Sequence, residues 1–473
     1  MRLPVIPLLL ALLSIQPAGA QAPSPDLAAF RALFKELVET NTAQSTGSCS
    51  LAAQRMAAHL KAAGYQGRDL TMFSVPEYPK DGGLVAVLPG SDKTAKAMLL
   101  LAHLDLVEAK RADWQQDPFT LTEQDGKFVG RGTTDDKTQV AIWVDSLVRF
   151  RHEGYRPRRT IKMALTCGEE GGRFNGAKWL SENRRTLIDA AFALNEGGFI
   201  TLDAQGRPTT LVLEAGEKTY QDIQLDVTNP GGHSSRPVKD NAIYHLAHAL
   251  DKLQAYDFPI QLVDANRAYF SGMAGQMART GQAELAAAIT AMLVDPADLA
   301  AVATVAGHDP TWNATLRTTC VATLLEAGHA ANALPQHASA NVNCRMFPGD
   351  TAEAVLAQLG RVIDDPLVHL TALALGGPVA KASPLTEAVV GPVRSLASEM
   401  WPGIDILPIL QPYATDGRFL TAAGIPTYGI DASLVDRNLN NMHGLNEFAG
   451  VQSLYRDREF LYRLIKAYAD APG

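Results

Sequence analysis

Cysteine is scarce in this chain. Cys49, Cys167, Cys320 and Cys344 are the only four in 473 residues, too few for a disulfide scaffold, and no two form a CxxC zinc pair. Positive charge is nowhere concentrated. There is no long Lys/Arg run and the formal net charge is −8, which argues against a nucleic-acid partner. No internal repeat and no low-complexity linker is visible, so the chain is not a repeat array. Past residue 20 no apolar run is long enough to span a bilayer. What is there, 47% hydrophobic and 19% charged residues, describes a folded protein. The length exceeds one ordinary core and predicts two or three domains.

The first twenty residues stand apart. Arg2 precedes an apolar run, Val5 to Ile15, and Ala18-Gly19-Ala20 is a small-x-small cleavage site. This reads as an export signal over residues 1–20, cleaved after Ala20, with no lipobox cysteine. A periplasmic or secreted protein without a membrane span is expected. In an oxidising compartment Cys320 and Cys344 would pair across neighbouring strands; two buried thiols are the alternative.

Strand-like runs alternate with helical stretches. Ser24-Pro25 opens a helix, and a second runs from about Ser50 to Gly64. Apolar runs follow at Gly83–Leu88, Ala97–Leu101, Ile161–Thr166, Ala190–Leu194 and Thr210–Leu213. That order predicts an α/β fold, a mostly parallel sheet with helices on both faces. From about Gly216 the texture changes. Tyr220–Thr228 alternates, Asn241–Leu253 and Gln282–Leu293 read as helices, and Thr315–Leu325 and Ala338–Phe347 read as strands. The expectation is a catalytic domain over 21–215 and 349–473, interrupted by an inserted α+β lid or dimerisation domain over 216–348.

Acids and histidines cluster where the strand runs end. Gly130–Lys137, GRGTTDDK, sets Asp135 and Asp136 between a glycine turn and a helix whose face is Val140, Val144, Leu147 and Val148. Adjacent acids in a partly dry site want a cation; a solvated turn with a helix-capping Asp is the plainer alternative. His103 and Asp105 sit in LLLAHLD, where side chains two apart on an extended segment face the same way, so Asp105 can orient His103. Glu169 and Glu170 lie between glycines in CGEEGG, Asn195 and Glu196 in NEGG, His233 in NPGGHSSRP and His443 in NMHGLNE. This supply of imidazole and carboxylate, without cysteine, suits two zinc ions sharing a bridging carboxylate, with cobalt or manganese as alternatives.

The order HLD, GRGTTDDK, GEEGG, NEGG, GGHSSRP, NMHG resembles the co-catalytic zinc metallopeptidases that include glutamate carboxypeptidase, aminoacylase, carnosinase and succinyl-diaminopimelate desuccinylase (peptidase family M-twenty), over nearly all of the chain after residue 20. The resemblance implies that His103 binds one zinc and Asp105 orients it, that Asp135 bridges both metals, and that the Asp135–Asp136 bond is cis. It implies Glu169 as general base, with Glu170 and His443 at the second zinc. Glu196 would complete the first; relatives often carry DEGG, and here Asn195 stands in place of that Asp. His233, on the lid, would donate to the oxyanion, frequently in a partner's site. Arg345 would clamp a substrate carboxylate, with Asn332 and the turn Thr415-Asp416-Gly417 lining the pocket. The implied substrate is a small peptide or N-acyl amino acid with a free carboxylate, cleaved by a carboxypeptidase, dipeptidase or deacylase, and the implied assembly is a homodimer through 216–348. A non-catalytic metal- or peptide-binding protein on the same scaffold is the reading from another class; loss of Glu169 or a ligand would mark it.

Overall fold

The computed structural model describes residues 24–373, 377–436 and 438–472, so the expected signal over 1–20 lies outside the described residues. Ser24 caps the first helix, Pro25–Val38, by accepting the Leu27 N–H, and Phe30, Leu33, Phe34 and Leu37 are its buried face.

Ten strands make the main sheet. Its centre is a parallel quartet in the spatial order Ile161–Thr166, Met98–His103, Phe192–Asn195, Thr427–Gly429. Tyr78–Leu88 pairs antiparallel on one side of the quartet and Pro208–Glu217 on the other. Leu100 and Ala102 point into a core shared with the helices Pro25–Val38, Cys49–Ala62, Lys137–His152, Glu387–Met400 and Val451–Asp470. Leu99 and Leu101 point the other way, against Ala177, Leu180 and Leu420. A strand buried on both faces needs apolar residues at every position, hence the unbroken run in the sequence. The helix Lys137–His152 is likewise buried beyond its expected stripe: Ile142 and Trp143 are as enclosed as Val140 and Val144.

The second unit is a four-stranded sheet in the order Thr319–Ala327, His337–Met346, Thr219–Thr228, Val368–Ala372. The helices Ala242–Ala255 and Ala352–Ile363 contribute to its core. This corrects the expected return to the first domain at 349. Val355, Leu359, Ile363 and Val368 bury themselves in the second core, so the insertion continues to about Ala372. The helix expected over Gln282–Leu293 is Ala283–Val294, and it packs in a block of four with Asp264–Arg279, Leu299–His308 and Pro310–Leu316, around Phe270, Ile289, Val305 and Trp312. Cys320 and Cys344 face each other in register and are bonded. Cys49 and Cys167 are bonded too, a pair not anticipated.

Candidate metal centre

Strand ends place the first three groups. His103 is the last residue of Met98–His103, Asn195 the last of Phe192–Asn195, and Cys167 follows Ile161–Thr166 directly. All are carboxyl ends of parallel neighbours, where an α/β sheet opens its crevice. A small three-stranded sheet supplies the fourth. Phe448–Gly450 pairs with Lys127–Val129, and that ladder carries the His443 loop to the Gly130–Lys137 loop.

Asp135 is the meeting point. His103 Nε2 lies 2.9 Å from Asp135 Oδ1, and His443 Nε2 lies 2.9 Å from Asp135 Oδ2. Glu170 Oε1 is 3.1 Å from His443 Nε2, and Glu196 Oε1 is 3.6 Å from His103 Nε2. Two triads therefore share Asp135: His103–Asp135–Glu196 and Asp135–Glu170–His443. The Asp135–Asp136 peptide is cis. Asp136 begins the helix but does not cap it; its carboxylate instead accepts the backbone N–H of His103, 3.2 Å. His103 Nδ1 finds the Asp105 carbonyl at 3.1 Å, nearer than the Asp105 carboxylate at 3.6 Å, so backbone as well as side chain orients the ring.

The electrostatics are those of a site short of positive charge. Burial alone would strip His103 of a proton, but Glu196, Asp105 and Asp135 around it hold the imidazolium well above its ordinary range. Hydrogen bonds to Asp135 and Glu170 push His443 up to about 10. Burial raises Glu196 to about 7 and, reinforced by Glu196, lifts Glu169 well above the carboxylate range. Asp135 is also buried, yet the two imidazoles keep it below that range. Glu196 Oε1 is buried with no hydrogen-bond partner, as is Asp105 Oδ1. Divalent cations fit this donor set: they meet the unpartnered oxygen and supply the charge while both imidazoles stay neutral.

Of the pair Asn195 and Glu196, the structure brings Glu196 to this cluster. Asn195 is buried and donates to Thr415 Oγ1, 2.9 Å. Glu169 lies beside the triads, with Arg418 Nη1 3.8 Å from its Oε1. His233 is not brought in: it stands exposed on the short ladder Gly232–His233 with Ala333–Leu334, and its ring pairs with Ser235 Oγ at 2.8 Å. Asn332 adjoins it, its carbonyl accepting the Ser234 N–H at 3.1 Å. Arg345 packs over the Tyr220 ring, 4.7 Å to the centroid, on the second sheet. The Asp416 carboxylate ties Thr166 Oγ1 (2.9 Å) and Asn175 Nδ2 (2.6 Å) beneath the Glu169 loop.

Sequence reasoning missed Glu447, Arg418 and Glu217. Glu447 is fully enclosed and accepts the N–H groups of Gly132 (3.1 Å), Thr134 (2.7 Å) and Asp135 (3.1 Å), and Arg131 Nη1 at 2.7 Å. It stands four residues past His443, and an acid there in NMHGLNE was the available signal. Glu217 ends the strand Pro208–Glu217, accepts the Thr415 N–H, and is pushed up to about 8 by burial. A separate cavity of about 650 Å³, lined by Arg68, Arg151 and Arg156, shares no residue with the centre. Cys49, Asp105 and Cys167 also converge, but the two sulfurs are bonded to each other.

The sequence pattern described as Peptidase family M20/M25/M40 matches residues 99–467. Among curated proteins, the chain is 28% identical over 404 residues to the N-fatty-acyl-amino acid synthase/hydrolase PM20D1 of Homo sapiens, covering 84% of this chain and 79% of that protein. Among solved structures it resembles the metallo-carboxypeptidase Sso-CP2 from Sulfolobus solfataricus, with a TM-score of 0.68 and 15% identity over 94% of this chain and all (100%) of the other. It also resembles the Bacillus subtilis YXEP protein, a dinuclear metal binding peptidase, with a TM-score of 0.59 and 11% identity over 94% and 98%.

Proposed function

The chain belongs to peptidase family M20/M25/M40, metal-dependent hydrolases of C–N bonds, and from that premise we propose that it cleaves a small peptide or N-acyl amino acid next to a free carboxylate, using two divalent ions. Zinc is the ion that this mix of imidazole and carboxylate suits, with cobalt or manganese as substitutes. The observation that carries the reading is Asp135, whose two oxygens each face a different histidine at 2.9 Å, as a bridging carboxylate requires.

Asp135 would hold both ions, His103 and Glu196 completing one site and Glu170 and His443 the other. When bound, the ions supply Lewis acidity, polarising the scissile carbonyl and acidifying water. Asp105 orients His103. Glu169 takes the proton of the attacking water and passes it to the departing amide nitrogen. Arg345 receives the substrate carboxylate, which its planar fork matches with two parallel hydrogen bonds. Asn332 lines the same pocket. His233 donates to the oxyanion from a second copy of the chain, which is consistent with its exposed position away from its own centre. An apolar edge supports that homodimer: the strand Thr319–Ala327 exposes Val321, Leu324 and Leu325, a surface that monomers rarely leave uncovered. Two disulfides support the export read from residues 1–20, since such bonds persist in oxidising compartments.

Similarity to an N-fatty-acyl-amino acid hydrolase favours N-acyl amino acids over dipeptides. The test is metal analysis together with a panel of dipeptides and N-acyl amino acids, with and without chelator. Two metal equivalents and chelator-sensitive release of a free amino acid are expected. Hydrolysis that survives complete metal removal would refute the mechanism, and dipeptides cleaved faster than every N-acyl amino acid would reverse the substrate preference.

A further inference from the structure

The loop bearing Glu169 and Glu170 hangs from Cys167. That residue is bonded to Cys49, the first residue of the helix Cys49–Ala62, across 118 positions of sequence, and both are buried. Asp105 joins them, with a carboxylate oxygen within 4.8 Å of both sulfurs. Its Oδ2 accepts the Glu170 N–H at 3.0 Å, while Oδ1 is buried without a partner. The loop has few other fastenings. Gly176 N donates to Cys167 O (2.7 Å) and Asn175 Nδ2 to Gly168 O (2.9 Å). Gly168 turns at φ +92°, with the Phe174 carbonyl occupying the place of a Cβ, so only glycine fits there. The start of the loop is thus set by Cys167, its sulfur partner and Asp105.

We propose that the Cys49–Cys167 disulfide is a positioning element of the metal centre, holding Glu169 and Glu170 in place beside Asp135 and His443, so that the centre is complete only in the oxidised chain. The proposal rests on the functional reading above. Reduction by a dithiol moves two electrons and two protons: the dithiol closes to its own disulfide and the Cys49–Cys167 bond opens to two thiols. Each new S–H lies beside the carboxylate of Asp105, whose Oδ1 stands 3.6 Å from His103 Nδ1 and has no other donor. Asp105 then turns from His103 and the Glu170 N–H toward sulfur, and the helix no longer restrains the loop. A chain still in a reducing compartment would be inactive, and oxidation after export would switch it on.

The experiment compares the oxidised wild type with Cys49→Ala/Cys167→Ala. A second arm treats Cys320→Ala/Cys344→Ala with dithiothreitol, so that only one bond opens, and then reoxidises it. Turnover, KM, metal held against a chromophoric chelator, and cooperative melting by circular dichroism are read in parallel. In folded protein, kcat should fall by about 10–100-fold with KM changed less than about threefold, and one metal equivalent should be held about tenfold more weakly. Reoxidation should restore both. If the double variant does not fold, the dithiothreitol arm below its melting temperature gives the same comparison. An active oxidised enzyme whose kcat and metal affinity stay within about twofold after the bond is opened overturns the proposal. So does activity that stays lost once the bond has re-formed. An oxidised wild type that binds no metal and cleaves nothing on the panel instead fails the functional reading, and the positioning role falls with it.

Discussion

Glu447 hydrogen-bonds to neither histidine, yet its replacement should disturb the metal centre more evenly than removal of any ligand other than Asp135. Its carboxylate gathers three backbone N–H groups of the Gly132–Asp135 turn and the guanidinium of Arg131, itself buried at 3% exposure. Arg131 also donates to the Gly444 carbonyl at 3.0 Å, so one ion pair ties the Asp135 loop to the His443 loop. Glu447→Ala leaves a buried cation without its counter-ion, a change that typically costs about 3–5 kcal/mol. Glu447→Gln keeps the volume and one acceptor oxygen, but its amide N–H₂ faces donors that the second oxygen accepted; about 2–3 kcal/mol is expected from the lost charge-assisted bonds. Because Asp135 faces His103 with one oxygen and His443 with the other, a displaced turn weakens both triads together. In Glu447→Gln, both metal equivalents should bind about 10–100-fold more weakly, whereas Glu170→Gln should weaken chiefly one. The assay is chelator competition on metal-depleted, folded protein, followed by turnover at saturating metal. If Glu447→Gln holds both equivalents as tightly as the wild type, the claim that this carboxylate positions Asp135 is wrong.

Glu169→Gln should retain metal and fold while kcat drops by about 10²–10⁴, the usual worth of a general base; near-normal turnover removes Glu169 from that role. His233→Ala should lower turnover by about 10²–10³ without releasing metal, as loss of an oxyanion donor does, and metal loss in that variant would make His233 a ligand. Asp457 is raised well above its ordinary range, by burial first and by Asp431 next. A raised carboxyl keeps its proton longer in the folded state, so its penalty is absent below the unfolded value, about 4, and grows as pH rises toward the folded one. Asp457→Asn, which retains an acceptor for the Ala432 N–H (2.8 Å in the native chain), should therefore lose less stability than the wild type as pH rises above about 4. Denaturant titrations across that range measure it, and parallel profiles for the two proteins would refute the shared-burial account.

Local sequence was enough wherever the physics is local. The strand Ile161–Thr166 begins and ends where its mostly apolar run does, because it is buried on both faces except at Lys162, whose ammonium reaches the carbonyls of Thr186 and Asp189. The helix Ala242–Ala255 starts at its Asn241 cap. The motif residues also announce their chemistry: His103, Asp135, Glu170, Glu196 and His443 are acids and imidazoles at strand ends and glycine turns, and the fold gathers those five. Pairings between distant segments were not legible. Cys49 meets Cys167 across 118 positions, and Glu447 meets Gly132 only because the ladder of Phe448 with Val129 lays one loop on the other. The second unit ended late for the same reason: Val368–Ala372 is a short run whose membership is decided by the edge it pairs with, Thr219–Thr228, rather than by its own composition. Sequence determined which groups carry charge and which segments must be buried. Only the tertiary structure decided which carboxylate faces which imidazole, because that depends on strand register and loop packing, set jointly by residues hundreds of positions apart.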